Sequence, residues 1–143
     1  MTGILTKLSV YGILQKGEGV LMQRRINTSF ANGWWSLPGG HIESEESVVN
    51  ALTRELFEEL GIQVHPEHCS FALALVRQPS GGSRYVNFFY SVRDWAGEPT
   101  IRDGKASELL FASSSRLPNP TLPYIREALD LVERRVPFHE SRF

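Results

Sequence analysis

The stretch "RELFEELG", Arg54 to Gly61, restricts this chain more than any other. Glu55, Glu58 and Glu59 fall at i, i+3 and i+4, which on a helix brings them onto one narrow face. Val49, Leu52, Leu56 and Leu60 recur at helical spacing on the neighbouring face, so the carboxylates stand at the border of a buried stripe. The pattern predicts a helix from about Glu45 to Leu60, with Ser44 as its N-cap and Gly61 as a left-handed stop. Arg54 lies one turn before Glu58 and two turns after Glu46, within reach of both. The plain reading is a solvated acidic face with one ion pair, worth about a few tenths of a kcal/mol. Carboxylates crowded at a core border repel one another, however, unless a cation neutralises them. Hard oxygen ligands on a fixed helix suit Mg²⁺ or Mn²⁺. Pro38, Gly39 and Gly40 precede the helix, and glycines allow a backbone to approach a ligand closely. A carbonyl there would complete a metal's oxygen shell.

The rest of the chain reads as strands and one further helix. "KLSVYGILQ" and "VLMQRR", joined by the turn residues "QKGEG", predict a hairpin. "NTSFANG" is a loop, and "WWSLPGG" a short strand ending at proline and glycine. "SFALALVRQ" and "SRYVNFFYSVRDW" predict strands joined by "PSGG", and "ELLFAS" another strand. "NPTLPYIREALDLVERR" predicts a closing helix with Leu122, Ile125, Leu129 and Val132 on one stripe. Interspersed strands and two helices imply a mixed sheet sandwiched by helices, in one domain over residues 1–143.

Composition narrows the function classes. The formal net charge of −1 supplies no broad basic field, so no DNA or RNA partner is expected. Cys69 is the only cysteine, which excludes an intrachain disulfide and a multi-cysteine metal site. "MTGILTKLSVYGIL" lacks the basic start and long apolar run of a signal peptide, and no apolar run is long enough to span a bilayer. A cytoplasmic protein with no membrane contact is the expectation. Monomer and homodimer both stay open, the latter through a sheet edge or the "VPFHESRF" tail.

Residues 40–62, "GHIESEESVVNALTRELFEELGI", resemble the Nudix box. Gly40, Glu46, Arg54, Glu55, Leu56, Glu58, Glu59, Gly61 and Ile62 all match its fixed positions, and the preceding "WSLPGG" is also typical of that family. The resemblance extends more loosely over the whole chain. It implies an α/β/α sandwich with a central mixed sheet, and hydrolysis of a nucleoside diphosphate linked to another group, X. By position, Glu55, Glu58 and Glu59 would bind Mg²⁺ or Mn²⁺ together with the Gly40 carbonyl. Arg54 and Glu46 would orient the glutamates, with Gly39 and Gly61 as structural support. Glu58 or Glu59 is the expected general base, with Glu98 and Glu108 as later alternatives. Glu108 is also expected as an extra metal-binding carboxylate of the kind found in MutT-like members.

Substrate contacts are less constrained. Arg24 or Arg25 could meet phosphates with a bidentate fork, and His41 follows the glycine pair. Asn32, Trp35, Phe89 and Asn119 are candidate contacts to X, along with Phe30, Trp34, Tyr85, Phe88 and Tyr124. Small size and the missing coenzyme A and NADH motifs favour a MutT-like (d)NTP pyrophosphohydrolase. The alternatives are an ADP-ribose or other nucleotide-sugar pyrophosphatase and a non-catalytic nucleotide sensor.

Overall fold

The hairpin predicted near the N-terminus opens the chain, as β1 (Thr6–Lys16) and β2 (Gly19–Arg25). Its strands pair only near the turn, Gln15 with Val20 and Lys16 with Gly19, and then diverge. The gap is filled by the next segment. β3 (Trp35–Ser36) pairs with β2, and β4 (Gly39–His41) pairs with β1. "WWSLPGG" is therefore two short strands and not one, with Leu37 and Pro38 crossing between them. Gly39 suits this place because its φ is 153° and a Cβ there would meet Val10 O at 2.1 Å. The computed structural model describes residues 5–141.

The outer edge of β1 runs parallel to β6 (Arg84–Val92), which pairs antiparallel with β5 (Cys69–Arg77). β8 (Phe138–Glu140) adds to β5 in parallel, and β7 (Ala106–Ser113) pairs antiparallel with β2. Part of the tail expected as a contact surface is thus a strand of the sheet; Arg142 and Phe143 lie outside the described residues.

Helix α1 (Val48–Leu60) covers one face and α2 (Pro123–Glu133) the other. Leu52, Leu56 and Leu60 pack with Val10, Leu14 and Leu21, whereas Ile125 and Leu129 pack with Leu73, Leu75 and Phe89. Two cores divided by a mixed sheet make the predicted α/β/α sandwich. The start of α1 differs from the expectation. Ser47, not Ser44, is the N-cap, and its Oγ accepts the Asn50 N–H at 3.1 Å. Glu45 takes a left-handed conformation, φ 65°, and Glu46 Oε1 accepts the Glu43 N–H, so residues 43–46 form a turn. The predicted stop holds: Gly61 has φ 73° and donates to Phe57 O. Among the described residues, no helix is long and apolar enough to cross a membrane.

Leu56 is fully buried between α1 and the sheet. Leu56→Ala is expected to lower unfolding stability by about 2–5 kcal/mol, read as a reduced midpoint in urea with little change in slope.

Candidate active site

The apolar face of α1 docks the helix on the sheet, and this brings its acidic face over the gap between β1 and β2. Arg54 organises the outer part. Its Nε and Nη2 donate to the two oxygens of Glu46 at 2.7 and 3.0 Å. Nη1 donates to Glu55 at 3.0 Å and to Glu58 at 3.1 Å, and Nη2 also reaches the His41 carbonyl at 3.1 Å. The bonds from Arg54, with the Glu43 N–H, hold the Glu46 carboxyl down at about 2. They and the other carboxylate contacts push the Arg54 guanidinium upward. The sequence pairing of Arg54 with Glu46 and Glu58 is present.

Glu59 lies deeper, only 9% exposed. Gln23 Nε2 donates to its Oε1 at 2.9 Å and the Gly39 N–H to its Oε2 at 3.1 Å. Both donors are neutral. Burial first, and then the nearby charges of Glu55 and Asp103, push its carboxyl up to about 8 against the pull of the Gln23 bond. Gly40 lies against Glu55, since a Cβ on Gly40 would come within 2.6 Å of the Glu55 carboxyl carbon. Among the described residues no three acidic, histidine or cysteine side chains converge as a ready-made ion cluster. The Arg54 guanidinium instead bridges Glu55 and Glu58. The donors nevertheless fit a hard cation: Glu59 is buried beside Glu55 and has no positive partner among the described residues, and glycine backbone lies against the carboxylates.

Two participants were not anticipated. Gln23 is a polar residue at an inward position of an otherwise apolar strand, which was the available signal. Asp103 arrives on the loop after β6. That loop is tied to the end of α1, where the Thr100 N–H donates to Leu60 O and the Arg102 N–H to Glu59 O. Its approach depends on those tertiary bonds, and only the turn "RDGK" hinted at it.

The other expected residues are dispersed. Gln23 points to α1, so Arg24 points to the opposite face of β2. Glu108, in register with Arg24, pairs with it at 3.1 Å and so lies away from Glu59. The expectation that Glu108 joins the carboxylate group is therefore corrected by strand register. Arg24 also bonds the Gly33 carbonyl, and Arg25 that of Phe30. Asn32 is exposed, and its side chain bonds Thr28. These three shape the loop after β2. Trp35 and Phe89, expected at the substrate, are core residues at 6% and 0% exposure; Phe89 stacks on Tyr11. Both sit on strands whose side chains turn under α2. His41, Asn119 and Glu98 are exposed.

A family model described as NUDIX domain matches residues 5–130. An 8-oxo-dGTP diphosphatase of Proteus vulgaris is 34% identical over 92 residues, covering 64% of this chain and 80% of that protein. A MutT NUDIX hydrolase from Burkholderia pseudomallei superposes with a TM-score of 0.79 at 24% identity, over 87% of this chain and 96% of that one. A MutT protein from Methanosarcina mazei Go1 also gives 0.79, at 22% identity, over 94% and 97%. The two structures share the sandwich described above.

The elevated Glu59 has a measurable consequence. Between the ordinary carboxyl value of 4.5 and about 8, the folded state retains a proton that the unfolded chain has released. In chelator, stability is expected to fall as pH rises through that window, and Glu59→Gln to remove this component. Urea unfolding at several pH values measures it; the same slope in both proteins would contradict the burial argument.

Proposed function

The chain belongs to the Nudix family of hydrolases and is a pyrophosphohydrolase; we propose that its substrate is a nucleoside triphosphate and that it requires Mg²⁺. The observation carrying this reading is Glu59, a buried carboxyl whose donors among the described residues are neutral, beside Glu55 and the Gly39–Gly40 backbone. The name of the Proteus relative, 8-oxo-dGTP diphosphatase, supports a triphosphate over ADP-ribose or a nucleotide sugar.

Glu55, Glu58, Glu59 and the Gly40 carbonyl would hold the ion, and Mn²⁺ meets the same demand for oxygen ligands. When bound, a divalent cation neutralises the pyrophosphate and makes an attacking water more acidic. Arg54 orients Glu55 and Glu58, and Glu46 anchors Arg54. Glu58 is the better general base of the two glutamates considered. It is exposed and gives one oxygen to Arg54, leaving Oε1 to take the proton from water. Both oxygens of Glu59 already accept hydrogen bonds. Asp103 adds negative charge beside Glu59 and is the better candidate for an accessory carboxylate than Glu108. A complete set of acidic residues weighs against a sensor that binds without turnover.

Purified protein with Mg²⁺ should release pyrophosphate or phosphate from nucleoside triphosphates, and excess chelator should abolish this. Binding of triphosphates without release would reject the catalytic reading. Faster turnover of ADP-ribose or a sugar nucleotide in the same screen would reassign the substrate. Glu58→Gln should lower kcat by about 100-fold or more while circular dichroism and Tm stay near those of the parent. Asp103→Asn is expected to reduce kcat/KM by about tenfold or more, and Glu108→Gln by less than about threefold. The reverse order would restore Glu108 to the site.

A further inference from the structure

Gln23 joins β2 to the acidic face of α1 from a rigid position. Its backbone is paired on both edges, opposite Ser36 of β3 on one side and Leu109 of β7 on the other. Its side chain is buried, and Nε2 donates to Glu59 Oε1 at 2.9 Å. The Gly39 N–H, from β4, donates to the other oxygen of the same carboxyl. Two strands on either side of the gap between β1 and β2 thus grip the Glu59 carboxyl at both ends. Donors fixed in this way hold a potential ligand in one orientation.

The sequence around Gln23 is "VLMQRR", so two guanidiniums follow it directly. Neither is aimed at Glu59. Arg24 turns to the opposite face of β2 and pairs with Glu108 at 3.1 Å. Arg25 donates to the Phe30 carbonyl, and its guanidinium carbon lies 5.9 Å from the centre of the Phe30 ring. A slip of β2 by one residue would set Arg24 against Glu59, but pairing with β3 and β7 fixes the register. The strand therefore presents a neutral donor to a buried carboxyl while its cations face elsewhere. A cation at position 23 would satisfy Glu59 from within the protein and repel a second positive charge. An apolar side chain would leave Oε1 without its donor. Glutamine orients the carboxyl and leaves its charge to be matched from outside.

We propose that Gln23 is a positioning residue for Glu59, and that its being a neutral donor sets the affinity of the site for a divalent cation. This rests on the reading of Glu59 as a ligand given above. Gln23 lies outside the glutamate-bearing helix and touches the cation only through Glu59.

Calorimetric titration with Mn²⁺ in the absence of nucleotide tests this without turnover. Gln23→Met keeps an unbranched side chain of similar length but donates nothing, and should weaken Mn²⁺ binding by about tenfold or more. Gln23→Lys places an ammonium against Glu59, and should weaken it further, by about 100-fold or more. The methionine variant decides alone if the lysine variant does not fold, as judged by circular dichroism. A purely structural role would lower Tm in EDTA and leave the Mn²⁺ affinity of each folded variant within about twofold of the parent; that result, or tighter binding by Gln23→Lys than by Gln23→Met, would overturn the assignment. A parent protein that binds no Mn²⁺ would overturn it together with the reading of the site as a cation site. Absence of triphosphate hydrolysis by a parent that keeps the predicted order of affinities would instead reject the proposed substrate and leave Gln23 in its role.

Discussion

The guanidinium of Arg54 is the contact on which the acidic site depends. It joins the turn before α1, through Glu46 and the His41 carbonyl, to the helix itself, through Glu55 and Glu58. A planar cation with five N–H donors can satisfy several carboxylates at fixed angles, which a lysine ammonium cannot. Remove it, and Glu55 and Glu58 on the helix and Glu46 in the turn before it are left with mutual repulsion and no common anchor. The apolar stripe of α1 then still docks the helix, but nothing fixes the carboxylates relative to β4.

Much of this was legible in the chain because it is local. The glutamates, Arg54 and the leucine stripe follow from spacing along one helix, and Gly61 stops it by its backbone preference. What escaped depends on distant partners. Ser44 and Ser47 are both good caps by composition. Ser47 wins because the turn at residues 43–46 is drawn over the helix by Arg54, and a left-handed Glu45 cannot continue it. Glu108 looked suitable by sequence position, yet alternation along β2 and β7 turns it toward Arg24. Trp35 and Phe89 looked available for a base, yet both complete the core under α2. Asp103 reaches Glu59 only because its loop is bonded to the end of α1.

The divergence of β1 and β2 leaves room for the short strand β4 beside the acidic helix. At its start, Gly39 donates to Glu59 and Gly40 rests against Glu55. At its end, His41 pairs with Ser9, which in turn lies opposite Asn87. Bulk at either glycine would separate the strand from β1 or from the helix.

The loop bonded to the last turn of α1 bears on the helix as a dipole. Glu58 and Glu59 occupy the C-terminal turn, where the aligned peptide groups already carry partial negative charge and no basic residue offsets it. The N–H groups of Thr100 and Arg102 quench part of that charge by bonding two of the exposed carbonyls. The remainder adds to the field of the carboxylates. A positive ion at this end gains about 0.3–1 kcal/mol from the helix alone, in addition to what its ligands supply. The direction in which α1 runs is therefore part of the site: reversed, the same side chains would present their charge against a positive helix end, with less need of a cation.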